Sequence, residues 1–409
     1  KPMRSWGECV VRTLIARRLL PNMHRRCGVN KATQETILLV CNTAWGIANF
    51  RANLIQHWVA QGKQVVAIAP SDKVAEAKLQ SLGAQFEPLA LDNRGSNPLR
   101  ELGVVWRLRG LYRRYRPVLV VHYTIKPVIY GSWAAWLAGV PSLAVVTGQG
   151  FAFLNKGLKA WLARNLYRIS LRFAKGVWFL NQDDYRLFTQ TGLAPAAKSA
   201  ILPGEGVDTE RFAPQANPHT DGRLRLLLVA RLLFDKGIAE YAEAGRLLRE
   251  RHQQQPDQVP VIELQLLGPF YAQNPQAISP EQIAHWQSEG WLRYLGETTD
   301  VTPYVAGCDA LVLPSYAEGL PRTVLEAMSM AKPVIATDVV GCRDLVVHEV
   351  TGLLCEARNA HSLADAIERF SQLSLAQRQQ MGEAGRARVL AHFADAQVVA
   401  TYDAFLMIN

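Results

Sequence analysis

The six cysteines, Cys9, Cys27, Cys41, Cys308, Cys342 and Cys355, form no C-x-x-C pair. That spacing excludes a zinc knuckle and a thioredoxin-type redox pair. Several of them sit in apolar runs, the usage of a reducing compartment without a disulfide framework. The nine histidines never repeat as H-x-x-x-H, so a helical metal site has no support. No D-x-D triplet occurs, which removes the usual carboxylate pair for a diphosphate-bound metal. No run of about 18 apolar residues occurs, so no segment reads as a membrane-spanning helix. Charge of one sign is scarce outside the N-terminus. The net charge is +10, and residues 1–35 hold eight Lys/Arg against two Glu, a balance of +6. The remaining +4 is too thin to read as nucleic-acid binding. Arg17, Arg18, Arg25 and Arg26 interrupt any apolar core of a signal peptide. Residues 1–35 therefore read as a basic, poorly ordered extension, with Met23 as a candidate start. The rival reading is a basic arm on a membrane surface.

What is present is an α/β pattern repeated in two halves. A length of 409 residues suits two domains. Ile37-Leu38-Leu39-Val40 reads as a buried strand, followed by a helix with Ile47, Phe50, Leu54, Ile55, Trp58 and Val59 on one face. Strands at Gln64 to Ala69, Val118 to Val121, Ser142 to Val146, Trp178 to Leu180 and Ala200 to Leu202 continue the first half. The polar stretch from Ala213 to Gly222 reads as a linker. Leu224 to Ala230, Val261 to Leu267, Ala310 to Leu313 and Pro333 to Ala336 then restart the pattern. Strands separated by helices predict two doubly wound parallel sheets, with ligands beyond the carboxyl ends of the strands. The expected domains are 36–212 and 223–390, joined by 213–222 and followed by a helix over 391–409.

The strongest local signal is Glu318-Gly319-Leu320-Pro321-Arg322-Thr323-Val324-Leu325-Glu326, which follows an apolar strand. Gly319 permits a tight turn, and Pro321 suits the first turn of a helix. A helix N-terminus after a strand offers amide N–H groups and a positive dipole end to phosphate. Glu318 and Glu326 flank that cradle and are suited to accept hydrogen bonds from sugar hydroxyls. On periodicity alone, an ordinary strand-to-helix turn with surface glutamates explains the segment equally well. A second signal is Arg231 to Gly237, with Arg231 at a strand end and Lys236-Gly237 opening a helix. Two cations across such a loop can meet one diphosphate, Arg bidentately and Lys as a point charge.

The Glu318–Glu326 segment resembles the E-x7-E signature of the retaining glycosyltransferases of family 4. The resemblance implies the GT-B fold of two facing Rossmann-like domains. It implies that Glu326 binds the nucleotide ribose, that Glu318 contacts the donor sugar, and that the backbone of Gly319, Leu320, Pro321, Thr323 and Val324 holds the diphosphate. Arg231 and Lys236 resemble the family's R-x4-K-G pattern and would stabilise the leaving diphosphate without metal. Gly204 to Asp208 and Phe212 resemble its G-V-D segment. Tyr294 to Thr298 and Asp300 resemble the loop beside the base, with Thr298 a base contact through its backbone. The matches run from about residue 37 to the end.

In the first half, Asn42-Thr43-Ala44-Trp45-Gly46 departs from the dinucleotide fingerprint G-x-G-x-x-G, which counts against an NAD enzyme. Gly46 is a place for close backbone approach to the donor. His122 to Pro127 and Thr147 to Phe151 each follow a strand. Both resemble segments of family members that extend polyprenyl-diphosphate-linked sugars. The resemblance makes His122 a catalytic candidate beside Glu318, Lys236 and Arg231, and makes Lys126, Gly148 and Gly150 acceptor-side residues. A strand-end His is as readily structural. Front-face chemistry in retaining members implies no separate general base.

Lys156 to Lys175 holds six cations and no acid, interleaved with Leu158, Trp161, Leu162, Leu166, Tyr167, Ile169, Leu171 and Phe173. Arg107, Arg109, Arg113, Arg114 and Arg116 form a second basic cluster. A basic amphipathic helix suits an anionic membrane surface, and a core-packed helix with a solvated basic face explains it as well. The expectation is a metal-independent transferase on the cytoplasmic face of the inner membrane. It moves a sugar, an N-acetylhexosamine such as GalNAc by first choice, from a UDP-sugar to a lipid-linked saccharide. A soluble-acceptor transferase, a nucleotide-sugar epimerase and an inactive scaffold of the same fold stay open.

Overall fold

A computed structural model describes residues 34–91, 98–148, 157–219 and 221–408. Residues 1–33 of the expected basic extension, Gly150 and Lys156 lie outside the described residues. The chain divides into two units, one of residues 1–205 with 395–409 and one of 206–394.

Unit 1 runs β1 (Thr36–Val40), α1 (Ala44–Phe50), α2 (Ala52–Ala60), β2 (Gln64–Ala69), α3 (Lys73–Ser81), β3 (Gln85–Pro88), α4 (Pro98–Tyr115) and β4 (Leu119–Tyr123). A π-helical turn over Pro127–Gly131 leads into α5 (Ser132–Ala138), then β5 (Ser142–Val146), α6 (Leu158–Phe173), β6 (Gly176–Phe179), α7 (Gln182–Gln190) and β7 (Ser199–Ile201). The seven strands are parallel in the order β3-β2-β1-β4-β5-β6-β7. Leu38, Val40, Val66, Ile68 and Val120 turn one face toward α4 and α5, and Ala144, Val146, Val177 and Phe179 extend that face toward α6 and α7. Helix starts follow local chemistry. Thr43 caps α1 by accepting from the Gly46 amide, and Asp72 caps α3 by accepting from Val74 and Ala75.

Unit 2 runs β8 (Leu224–Val229), α8 (Ile238–Gln254), β9 (Ile262–Leu267), α9 (Pro280–Ser288), β10 (Arg293–Tyr294), α10 (Thr302–Ala306), β11 (Ala310–Leu313), α11 (Arg322–Ser329), β12 (Val334–Thr337), α12 (Cys342–Leu345), β13 (Gly352–Cys355), α13 (Ala360–Ser371) and α14 (Leu375–His392). Its six parallel strands lie in the order β10-β9-β8-β11-β12-β13. Ser279 and Ser374 each open a helix with a capping box, to Gln282 and Gln377. The final helix, α15 (Asp395–Ile408), returns to unit 1.

Two boundaries differ from the sequence expectation. The first crossing falls at Glu205/Gly206 rather than over 213–222. The reason is apolar anchoring: Val207 and Phe212 are buried in the unit 2 core. The last helix is also part of unit 1 rather than an appended segment. Tyr123 and Trp178 point away from the α4–α7 layer, and both meet α15. The Tyr123 hydroxyl lies 2.9 Å from that of Tyr402, and Trp178 packs edge-on against Tyr402 and Phe405. Trp58 of α2 donates to Asp403 at 3.1 Å.

Arg51, between α1 and α2, is buried against Glu205 at 2.5 Å and lies 3.9 Å over the Tyr123 ring. Burial works against its charge, and Glu205 more than restores it. Breaking such a pair leaves one charge buried alone. Arg51→Met is therefore expected to destabilise unit 1 by about 3–5 kcal/mol. The measurement is the thermal midpoint, and the double variant with Glu205→Gln should recover most of the loss. An unchanged midpoint in the single variant would remove the pair from the account of stability.

Candidate functional site

In unit 2 the strand order reverses between β8 and β11, so the loops after these two strands open the crevice where ligands of doubly wound sheets bind. The loops touch closely. A Cβ on Gly237 would stand 2.0 Å from the Pro314 carbonyl oxygen, and Gly237 has φ +69°. Only glycine fits that contact and conformation. The Tyr316 amide donates to the Asp235 carbonyl at 2.9 Å, tying the two loops a second time. Lys236, at the end of a 3-10 turn over Phe234–Lys236, is thereby aimed across the crevice. Its Nζ donates to Glu318 Oε1 at 2.6 Å, and both side chains are largely buried.

A third loop, after β12, supports Glu318 from behind. The Glu318 amide donates to the Val340 carbonyl at 3.2 Å. Gly341, at φ +81°, lies so close that a Cβ would be 2.6 Å from the Glu318 carbonyl oxygen and 2.7 Å from that of Gly319. Pro321 takes the N-cap position of α11, one step outside the helix rather than in its first turn. Among the described residues no side chain caps α11, and a helix start is the kind of donor array that suits an anion. Val324 is fully buried, which leaves its backbone as the part that can face a ligand. Leu320 packs against the core, and Thr323 is half-buried beside it.

Glu326 sits in the second turn of α11, and Arg322 Nε donates to its Oε1 at 3.1 Å. Burial raises its pKa above the ordinary glutamate value, while Arg322 and Arg211 pull it the other way. Arg211 is held by Asp300 at 3.1 Å. The Thr298 hydroxyl accepts from the Asp300 amide and donates to the Asp300 carbonyl, so that side chain is occupied within its own turn. Arg231 is exposed on the β8 loop, 5.4 Å from the Tyr271 ring centroid. The sequence reading missed the direct Lys236–Glu318 contact, the backing by Gly341 and the presence of Arg211 near Glu326. Positive-φ glycines are legible in sequence only as turns.

In unit 1 the corresponding reversal lies between β1 and β4. The Asn42 amide donates to Thr124 Oγ1 at 3.3 Å, and Thr124 has φ +68°. A β-branched residue in that region is strained, which marks a constrained loop. Gly148 follows β5 with φ +147°, and among the described residues nothing lies within 4 Å of a Cβ position there. Lys126 instead pairs with Glu101 of α4. Gly46 is corrected from a loop glycine to a residue inside α1. A Cβ there would stand 2.9 Å from Thr43 Oγ1, so the glycine protects the cap.

His122 is also corrected. It was expected beyond a strand end, but β4 runs on to Tyr123 and carries His122 inside it. Its side chain is fully buried toward α4, with Nε2 2.9 Å from the Tyr112 hydroxyl. A Cβ on Gly131 would lie 2.4 Å from its ring. Burial holds its pKa down to about 3, so it is neutral and enclosed, with no path to a substrate. Among the described residues no group of three or more His, Cys, Asp or Glu is placed to hold a metal ion.

Two doubly wound domains, one with a cation–carboxylate pair beside an uncapped helix start, define a protein of the GT-B glycosyltransferase class. Residues 209–388 match the family described as "Glycosyl transferases group 1", and residues 46–205 match "Glycosyl transferase 4-like domain". The chain belongs to these glycosyltransferases and is a hexosyltransferase. It is 27% identical over 337 residues to the N,N'-diacetylbacillosaminyl-diphospho-undecaprenol alpha-1,3-N-acetylgalactosaminyltransferase of Campylobacter jejuni, covering 78% of this chain and 85% of that protein. It is 28% identical over 294 residues to an Escherichia coli UDP-Gal:alpha-D-GlcNAc-diphosphoundecaprenol alpha-1,3-galactosyltransferase, covering 68% and 72%. In fold it is similar to a Rickettsia africae glycosyltransferase (TM-score 0.75, 18% identity, 92% of this chain and 99% of that one). It is also similar to Anabaena HepE in complex with UDP and glucose (TM-score 0.73, 19% identity, 91% and 99%).

The raised pKa of Glu326 gives a pH prediction. A carboxyl raised in the folded state lends stability below its unfolded pKa, and loses it as pH rises through the folded value. Glu326→Gln removes that loss. Its thermal midpoint should exceed the parent's near neutral pH and converge with it at about pH 4. Equal midpoints at neutral pH would show that burial does not penalise this carboxylate.

Proposed function

We propose that this enzyme moves an N-acetylhexosamine from a UDP-sugar to a polyprenyl-diphosphate-linked saccharide, with retention of the anomeric configuration. It does so in bacterial surface glycan assembly, on the cytoplasmic face of the membrane. The observation that carries the reading is the Lys236–Glu318 contact beside the uncapped start of α11, at the strand-order reversal of unit 2. The Campylobacter relative, an N-acetylgalactosaminyltransferase acting on a diphospho-undecaprenol saccharide, supports the choice of sugar and acceptor.

Each residue has a task in this reading. The amides from Gly319 to Val324 and the α11 dipole take the diphosphate, with Arg231 and Lys236 as its counter-charges. Lys236 also orients Glu318 by donating to its Oε1, so that Glu318 accepts from a donor-sugar hydroxyl. Glu326 accepts from ribose hydroxyls, which supply the hydrogen bonds its burial otherwise costs. As the glycosidic bond to phosphate breaks, negative charge grows on the leaving diphosphate, where the preorganised cations and amides stabilise it. The acceptor hydroxyl attacks from the same face, and its proton passes to the departing phosphate oxygen. No side-chain base enters, and no metal is needed. On the acceptor side the backbone at Gly148 is the natural contact, while Lys126 is engaged by Glu101.

The test is a donor screen read by nucleoside diphosphate release, with and without a polyprenyl-diphosphate saccharide, and by the anomeric configuration of the product. Release dependent on acceptor, with an α-linked product, supports the reading. An epimerised nucleotide sugar formed without acceptor sinks it. Lys236→Ala and Glu318→Gln are each expected to lower turnover by roughly 10²–10³-fold. Unchanged turnover in both would place the donor elsewhere. Turnover should also survive a chelator, and its abolition by EDTA with rescue by a divalent cation would overturn the metal-free account.

A further inference from the structure

The region from Pro98 to Lys175 holds thirteen Lys and Arg and a single acid, Glu101. That acid is buried and paired with Lys126. Helices α4 and α6 therefore carry cations with no exposed carboxylate of their own, and Glu87 of β3 meets α4 only at its end, where it pairs with Arg114 at 3.2 Å. They also carry tryptophans. Trp106 of α4, Trp136 of α5 and Trp161 of α6 are 54%, 59% and 59% exposed.

These helices do not need that apolar surface for their own core. α4 buries Val104, Val105, Leu108 and Tyr112 inward, and α6 buries Ala160, Tyr167 and Leu171. The apolar stripe expected on α6 is thus two sets: one packs the core, and Trp161, Leu162 and Ile169 turn outward with Arg168 and Arg172. The outward residues are continuous across the helices. The Arg109 guanidinium lies 5.1 Å from the Trp106 ring centroid and donates to the Leu137 carbonyl at 3.3 Å. Trp136, beside Leu137, stacks on Phe173 of α6 at 4.6 Å. Single exposed apolar residues are ordinary, but a contiguous strip framed by one sign of charge marks an interaction surface.

The geometry points to the outward face of α4–α6 as the surface that seats this enzyme on an anionic lipid bilayer. The three tryptophans enter the interface, and the arginines meet the headgroups. Tryptophan belongs at the level of the headgroups, and cations near an anionic leaflet gain from its potential. A second copy of the chain fits poorly, since a two-fold contact would set this cation-rich face against itself. The topology gives the strip a use. Helices α4 and α6 follow β3 and β5, so they begin at the carboxyl edge of the sheet, and Trp161 and Leu162 lie in the first turns of α6. That is the edge at which the Thr124 and Gly148 loops open. Docking there would bring a lipid-linked saccharide to the acceptor loops without lifting its tail from the bilayer. This use rests on the acceptor proposed above.

The test uses the full chain with sedimented vesicles of phosphatidylcholine, with and without phosphatidylglycerol. Binding is expected only with phosphatidylglycerol, accompanied by a blue shift of tryptophan emission. Trp106→Ser with Trp161→Ser should weaken binding by roughly tenfold, and Arg168→Gln with Arg172→Gln should lower the preference for anionic lipid by roughly tenfold or more. Neither pair should change the thermal midpoint, or turnover with a water-soluble short-chain acceptor. Vesicle binding that both pairs leave intact, or none by the parent, overturns the proposal. So does a dimer in solution that Trp161→Ser dissociates. If vesicle binding behaves as expected while no nucleotide sugar is turned over, the lipid surface stands and the transferase reading falls.

Discussion

The proposed donor site depends on how closely two loops approach. Gly237 lies against the Pro314 carbonyl, and no residue with a Cβ fits between them. Because that gap is closed, Lys236 after β8 reaches Glu318 after β11 at hydrogen-bond distance. Gly341 repeats the device from the other side, letting the β12 loop press on the Glu318 backbone. The result is a carboxylate and an ammonium held in one orientation before any ligand arrives. Preorganised charge of this kind is what stabilises a leaving group without reorganisation cost.

Unit 1 solves a different problem with a related means. The chain leaves it at Glu205 and returns at Asp395. Glu205 lies between Gly204 and Gly206, both at positive φ, and is pinned by buried Arg51. Arg51 also lies over Tyr123, whose hydroxyl meets Tyr402 of the returning helix. One buried cation thus joins the end of the first crossing, the last residue of β4 and the C-terminal helix.

The misread residues share a cause. His122 and Gly46 sit next to expected strand or helix ends, where an error of one or two residues moves a side chain from solvent to core. His122 lies one position before the end of β4, so strand alternation turns it toward Tyr112. Lys126 was read as an acceptor-side cation after a strand, but its partner Glu101 lies 25 residues earlier on another element. For α6 the sequence periodicity could not separate two apolar faces, because Trp161, Leu162 and Ile169 obey the same helical spacing as the buried set.

The order of hydrophobic runs, the placement of Glu318, Arg231 and Lys236 at strand-to-helix turns and that of Glu326 inside the following helix are local features, and the sequence by itself determined them. It also determined the parallel, doubly wound class, since strands separated by helices cannot pair otherwise in short connections. Only the tertiary structure decided which of these residues touch, where the units divide, and which face of α6 is left to solvent. Those outcomes depend on contacts between segments far apart in the chain. There a glycine's missing Cβ or a burial of one side chain chooses among arrangements that the local pattern leaves equal.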